Sequence, residues 1–142
     1  MELYPRVFLY RRLVQSKLFI DSNYAGKIDV DNIADEAYCS KYHFIRLFKK
    51  VYGKTPHQYL IFVRVEHAKI LLKNNTSVND ACFSVGFESP TSFASLFKKA
   101  TGMSPSAYRY YHKKIVKEQQ EQPLRFIPGC ITSKFGIEKE QF

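Results

Sequence analysis

Apolar residues recur at every third or fourth position along most of this 142-residue chain, and this spacing predicts helices. The clearest stretch places four apolar residues on one helix face, at i, i+3, i+4 and i+7: Phe44, Leu47, Phe48 and Val51. Ser40 is predicted to cap this helix, because its hydroxyl can accept from an unpaired backbone N–H of the first turn. Gly53 is predicted to end it. The pattern therefore indicates an all-α fold with these four residues buried.

The segment that carries this helix occurs twice in the chain, at a constant offset. Residues 44–50 and 93–99 both read Phe-x-x-Leu-Phe-Lys-Lys. The positions around them also match, and the pairs are Ser40 and Ser89, Gly53 and Gly102, Thr55-Pro56 and Ser104-Pro105, and Tyr59 and Tyr108. So many matches at one offset predict a single structural unit that is present in two copies.

Each copy is predicted to form a helix, a tight turn and a second helix. In the first copy, the first helix covers residues 30–37 and the turn covers residues 38–39. In the second copy, Ser77 starts the first helix, Gly86 marks the turn and Ser89 caps the second helix. This arrangement is the pattern of a helix-turn-helix unit.

Three further helices complete the predicted order. A connecting helix begins at Pro56 and runs to about Asn74, a rod of about 27 Å. An N-terminal helix spans residues 6–23, where Leu9, Leu13 and Ile20 are expected to pack, and a short last helix follows Pro105. The prediction is thus a seven-helix domain of two helix-turn-helix subdomains joined by a long connecting helix.

The residues after Tyr110 leave the helical pattern. Residues 1–110 are therefore predicted as the domain and residues 111–142 as a C-terminal tail of uncertain order. Two alternatives remain for this tail, which either docks on the domain or is disordered. The apolar residues that favour docking are Phe126, Ile131, Phe135 and Ile137.

The net charge of +9 and the pI of about 9.5 predict a polyanionic partner. Charge alone leaves duplex nucleic acid, single strands and an anionic membrane surface open. An apolar run of about 18 residues is absent from the sequence, so no membrane span is expected. The cysteines Cys39, Cys82 and Cys130 are widely spaced and form no CxxC motif, which predicts reduced thiols in a reducing cytoplasm. No HExxH, GxSxG or Gly-rich phosphate loop occurs, so no metal, cofactor or enzymatic activity is predicted.

The second helix of each copy has a face opposite the core that carries candidate DNA contacts. In the first copy, Arg46 suits guanine O6 and N7, Tyr42 can stack or hydrogen-bond, and Ile45 can meet a thymine methyl. The base-contact candidates of the second copy are smaller: Thr91, Ser92 and Ser95. The phosphate-contact candidates are the basic residues Lys41, His43, Lys49, Lys50, Lys98 and Lys99. The position of Arg46 is held by Ser95 in the second copy. Our hypothesis is therefore that the first copy supplies most base discrimination and that the second acts through phosphates, water and DNA shape.

Residues 13–109 resemble the DNA-binding domain of AraC/XylS-type bacterial transcription regulators. The matching segments are Ile33-Ala34, residues 40–44, residues 46–50, Gly53, Thr55-Pro56, Tyr59-Leu60, Arg64, Ala68, Leu71-Leu72, residues 86–90, Phe93, residues 96–98, Gly102 and residues 104–109. The resemblance implies seven helices and two recognition helices in adjacent major-groove segments on one DNA face. It also implies base contacts at the positions of the candidates above, and activation of transcription through contact with RNA polymerase.

Several positions depart from the family pattern. Tyr38 and Cys39 stand where a glycine and an aromatic residue are usual, so the first turn is expected to be strained or differently built. Cys82 replaces an alanine, and Ser95 replaces an arginine found in some members. Most members also have an N-terminal effector or dimerisation domain. The chain is therefore expected to be either a small stand-alone regulator or a piece of a larger one.

Together these patterns predict a sequence-specific, double-stranded-DNA-binding transcription regulator, located in the cytoplasm with the nucleoid. It is expected to bind an asymmetric site as a monomer, because one chain supplies both recognition helices. One alternative is a basic architectural protein that binds DNA without sequence preference. A second is an accessory or damage-sensing module of an enzyme, which requires a reactive cysteine of low pKa.

Overall fold

The computed structural model describes residues 3–28 and 40–121, and the part of the chain that it describes contains six helices and no strand. The helices are α1 Leu3–Asn23, α2 Lys41–Tyr52, α3 Pro56–Lys73, α4 Val78–Ser84, α5 Pro90–Thr101 and α6 Pro105–Glu121. The all-α prediction therefore holds for these ranges. The helix predicted over residues 30–37 and the turn at Tyr38 and Cys39 lie outside the described residues, as do residues 122–142.

The helices α2 and α5 begin and end in the same way, as the repeat predicts. The hydroxyl of Ser40 accepts from the backbone N–H of His43 at 3.2 Å, and that of Ser89 accepts from Ser92 at 3.4 Å. Both helices are 12 residues long, and both end at a glycine in the left-handed region, Gly53 at φ +77° and Gly102 at φ +82°. A residue with a Cβ is strained at such angles, so glycine defines where each helix stops.

The connecting helix α3 contributes to two hydrophobic cores. Thr55 and Gln58 form a capping box at its start, with the Gln58 side chain accepting from the Thr55 backbone N–H at 3.0 Å. Leu60 and Val63, in its first half, belong to one buried cluster. Farther along the helix, Val65, Ala68 and Leu72 belong to the other. The two units thus share one continuous rod.

Each core is built around the same aromatic set. In the first, the rings of Phe44 and Phe48 lie 6.0 Å apart, and the ring of Tyr59 lies 5.9 Å from that of Phe48. In the second, Phe93 and Phe97 are 5.6 Å apart, and Tyr108 lies 5.3 Å from Phe97. These distances are typical of tilted and edge-on aromatic pairs. The sequence repeat is therefore a repeat of core packing.

The helix α1 packs on the first core through Leu13 and Ile20, which are buried. The hydroxyl of Tyr59 on α3 donates to the carboxylate of Asp21, and Lys17 pairs with the same carboxylate at 3.0 Å. Burial is the main reason that the pKa of Tyr59 lies above its ordinary value, so this hydroxyl keeps its proton at neutral pH. These contacts set where the chain leaves the end of α1.

Two predictions about the helices need correction. Val51 was expected in the core but is 42% exposed, because it lies in the last turn of α2, beyond the turns that hold Phe44 and Phe48. The last helix is longer than the short helix predicted after Pro105, since α6 continues to Glu121. The lysines, glutamates and glutamines from Lys113 onward lack an apolar period but are good helix formers.

Candidate nucleic-acid interface

The outward face of α2 presents an aromatic ring beside a guanidinium group. Tyr42 is 71% exposed, and the guanidinium carbon of Arg46 lies 5.5 Å from the centre of its ring, one helical turn away. A cation over an aromatic face is attracted to the ring quadrupole, which favours one orientation of the Arg46 side chain. The five N–H donors of Arg46 are therefore held near the surface, and no carboxylate of the described residues pairs with them.

The third base-contact candidate of α2 is less accessible than the sequence suggests. Ile45 is half-buried, because it packs against the first core cluster next to Phe44 and Phe48. Its remaining exposed surface lies on the same helix as Tyr42 and Arg46. Only part of the Ile45 side chain is therefore accessible for an apolar contact.

Exposed basic side chains surround this face. Lys49 and Lys50 lie in the last turn of α2, and Lys41 and His43 lie in its first turn, all of them exposed. Exposed basic side chains therefore lie at both ends of α2.

The outward face of α5 has different chemistry. Its exposed side chains are the hydroxyls of Thr91, Ser92 and Ser95, whereas Lys98 and Lys99 are exposed in the last turn. Small hydroxyl side chains allow a close approach to base edges but offer fewer donors than a guanidinium. The two helices therefore have matching lysine pairs in their last turns, but the middle of α2 presents a guanidinium group where α5 presents hydroxyls.

A groove of about 520 Å³ lies between the two units. Its polar lining includes His57 from the start of α3, Ser89 and Ser92 from the start of α5, and Lys27 and Arg64. The burial of Arg64 lowers the pKa of its guanidinium from the ordinary value, and the carboxylate of Glu88 opposes that effect. The sequence marked Arg64 only as a family match, since nothing in the local pattern shows what an arginine on a core helix contacts.

Of the three cysteines, Cys82 lies within the described residues. Cys82 is buried in the second core, and burial raises the pKa of its thiol, so it lacks the low pKa that a reactive cysteine needs. Within the described ranges, no three histidine, cysteine, aspartate or glutamate side chains lie close enough together to hold a metal ion. Nor does any helix in those ranges combine the length and apolar character needed to cross a bilayer.

Comparison with known families places the chain. A family model described as a helix-turn-helix domain matches residues 33–110. The chain belongs to the AraC/XylS family. It is 36% identical over 93 residues to the HTH-type transcriptional activator AarP of Providencia stuartii, an alignment that covers 65% of this chain and 69% of that protein.

Other members of the family match over a smaller share of their length. The bifunctional transcriptional activator/DNA repair enzyme AdaA of Bacillus subtilis is 38% identical over 96 residues, which are 67% of this chain and 46% of AdaA. The lactose operon transcription activator of Staphylococcus xylosus is 34% identical over 94 residues, which are 66% of this chain and 34% of that protein. The chain thus spans about a third to a half of these two relatives.

A solved structure supports the same fold. The DNA-binding domain of AdpA, described as a global transcriptional factor and solved in complex with a target DNA, matches with a TM-score of 0.67 at 30% identity. The match covers 78% of this chain and 96% of that domain. The described helices of this chain therefore have the architecture of an AraC-type DNA-binding domain.

Proposed function

We propose that this protein regulates transcription by binding duplex DNA in a sequence-specific manner, with α2 and α5 as recognition helices in adjacent major-groove segments. The observation that carries the proposal is the structural repeat: two helices of 12 residues with the same caps, the same aromatic core behind them and an exposed lysine pair in the last turn of each. The net charge of +9 gives both helices attraction to the phosphate backbone.

The two helices read DNA by different means. Arg46 makes bidentate contacts with guanine O6 and N7, Tyr42 contacts a neighbouring base or sugar, and the exposed edge of Ile45 meets a thymine methyl. On α5, Thr91, Ser92 and Ser95 contact bases directly or through water. Phosphate contacts come from the basic residues Lys41, His43, Lys49, Lys50, Lys98 and Lys99. Most of the discrimination between bases then comes from α2.

The remaining parts of the proposal follow from the repeat and the family. Residues 1–110 act as the DNA-binding domain. A single chain binds both groove segments as a monomer and contacts RNA polymerase at a nearby promoter in the bacterial cytoplasm. Its role is regulation rather than catalysis.

Selection of bound DNA from a random pool tests the proposal. We expect one asymmetric consensus that covers two helical turns, because two adjacent major-groove segments are about 34 Å apart. Binding to this consensus should also survive competition by random DNA as salt is raised, because nonspecific binding is almost entirely counterion release. Recovery of no consensus would instead favour the architectural DNA-binding alternative and overturn the proposal.

A further inference from the structure

Residues 24–28, which follow α1, form a segment that contacts both helix-turn-helix units. Tyr24 packs against both core clusters, and its ring stacks on that of His67 with the centroids 4.0 Å apart and the planes 7° from parallel. His67 lies on α3, beside the residues that build the second core. The segment therefore lies where the two units meet.

Arg64 holds the backbone of this segment. Its Nε donates to the carbonyl oxygen of Tyr24 at 2.7 Å, and its Nη2 donates to that of Gly26 at 3.0 Å. The guanidinium carbon also lies 5.7 Å from the ring centre of Phe87, which belongs to the second core. One side chain on the shared helix thus joins the segment after α1 to the second unit.

The turn of the second unit lies directly against the same carbonyls. Gly86 has φ +98°, and a Cβ built there would lie 2.8 Å from the oxygen of Tyr24 and 2.9 Å from that of Ala25. Neither atom belongs to a flexible side chain, so only glycine permits this approach. Gly86 immediately precedes the loop to α5, and hence the contact fixes the start of the second recognition helix relative to α1. The exposed pair of Lys27 and Glu88, 3.9 Å apart, adds little to it.

We infer that Arg64 is a positioning residue, which fixes the orientation of α5 relative to α2 and restricts the protein to one spacing between the two half-sites on DNA. The inference rests on the proposed function, since it concerns how the two recognition helices act together. A rigid connection gives the second helix a high effective concentration at the matching spacing and almost none at another. A looser connection lowers the effective concentration at the matching spacing and raises it at other spacings.

The test compares two DNA duplexes and three proteins. One duplex has the selected consensus, and the other has two base pairs inserted between the half-sites, which moves the second half-site by about 7 Å and about 70°. We expect the insertion to weaken wild-type binding at least about tenfold and Arg64→Met binding less than about threefold, as the rigid second contact is lost only in the wild type. Lys69→Met is the matched control, because it removes one positive charge from α3 at a residue that pairs with Glu66. For this variant, the ratio of affinity for the consensus duplex to affinity for the duplex with the insertion should equal that of the wild type.

A second variant keeps the result decisive if Arg64→Met fails to fold, as judged by circular dichroism. Arg64→Lys retains the charge and the apolar stem but lacks the planar fork that reaches two carbonyls, so the insertion should weaken its binding by about three- to tenfold, less than it weakens wild-type binding. If a folded Arg64 variant keeps the wild-type ratio, the inference is wrong and the proposed function stands. A wild type that binds without sequence preference overturns both.

Discussion

Replacement of Arg46 by lysine separates base recognition from charge. Lysine keeps the positive charge and most of the stem but has no fork with which to contact guanine O6 and N7 together. Arg46 is exposed, and its guanidinium carbon lies 5.5 Å from the ring centre of Tyr42. An exposed contact of this kind stabilises a fold by only about 0.5–1 kcal/mol, so the variant is expected to remain folded.

The expected loss is confined to discrimination. A bidentate arginine–guanine pair contributes about 1–3 kcal/mol of discrimination, which corresponds to about 5- to 150-fold in the ratio of specific to nonspecific affinity. Fluorescence anisotropy measures that ratio, with the consensus duplex and with a duplex in which the guanine proposed to pair with Arg46 is replaced. Because the charge is kept, the slope of log affinity against log salt should not change.

Two comparison variants give the result its meaning. If Lys99 contacts a phosphate as proposed, Lys99→Gln should weaken binding to both duplexes alike and reduce the salt slope by about 0.9. Ser95→Ala should leave most of the discrimination in place, because α5 presents only small hydroxyls. If Arg46→Lys discriminated as the wild type does while Ser95→Ala lost all preference, the assignment of base recognition to α2 would be refuted.

Three further predictions concern the fold. Phe97→Ala should lower the free energy of unfolding in urea by about 3–5 kcal/mol, because it empties a fully buried ring position in the second core; a loss below about 1 kcal/mol would mean that the core repacks freely. Gly86→Ala should cost more stability than Gly102→Ala, since both glycines have positive φ but only at Gly86 does the new Cβ meet a backbone oxygen, that of Tyr24; equal melting temperatures would contradict this contact. Cys82 should resist a thiol reagent in the folded protein and react once the protein is unfolded in urea, because burial raises the pKa of its thiol; fast reaction of the native protein at this residue would show that it is accessible.

The parts of the fold that could be predicted from sequence are those set by neighbouring residues. Ser40 and Ser89 cap their helices, and Gly53 and Gly102 end theirs, because caps depend on side chains within a few positions of the helix end. The outward positions of Tyr42 and Arg46 followed from subtraction of the buried face. The period did not foresee that Ile45 is half-buried, since a residue at the edge of a helix face is covered only by what packs beside it.

The contact between the two units could not be predicted in this way. Arg64 and Gly86 are both visible in the sequence as family positions, but their partners are the backbone carbonyls of Tyr24, Ala25 and Gly26. Every residue offers a carbonyl, so the sequence carries no sign of which one is used. Such a contact depends on the path of the chain after α1, which only the folded structure reveals.

Since α3 takes part in both cores, its length determines the rotation and the distance between the two units. Each residue added to an α-helix turns everything beyond it by about 100° and advances it by about 1.5 Å. A single insertion in the middle of α3 would therefore rotate α5 relative to α2 by about 100°, even with every side chain of the two helices unchanged. In proteins of this architecture, substitutions on the outward faces of the two recognition helices can change which bases are bound. Insertions or deletions in the connecting helix would instead change the spacing and the rotation between the two bound DNA segments.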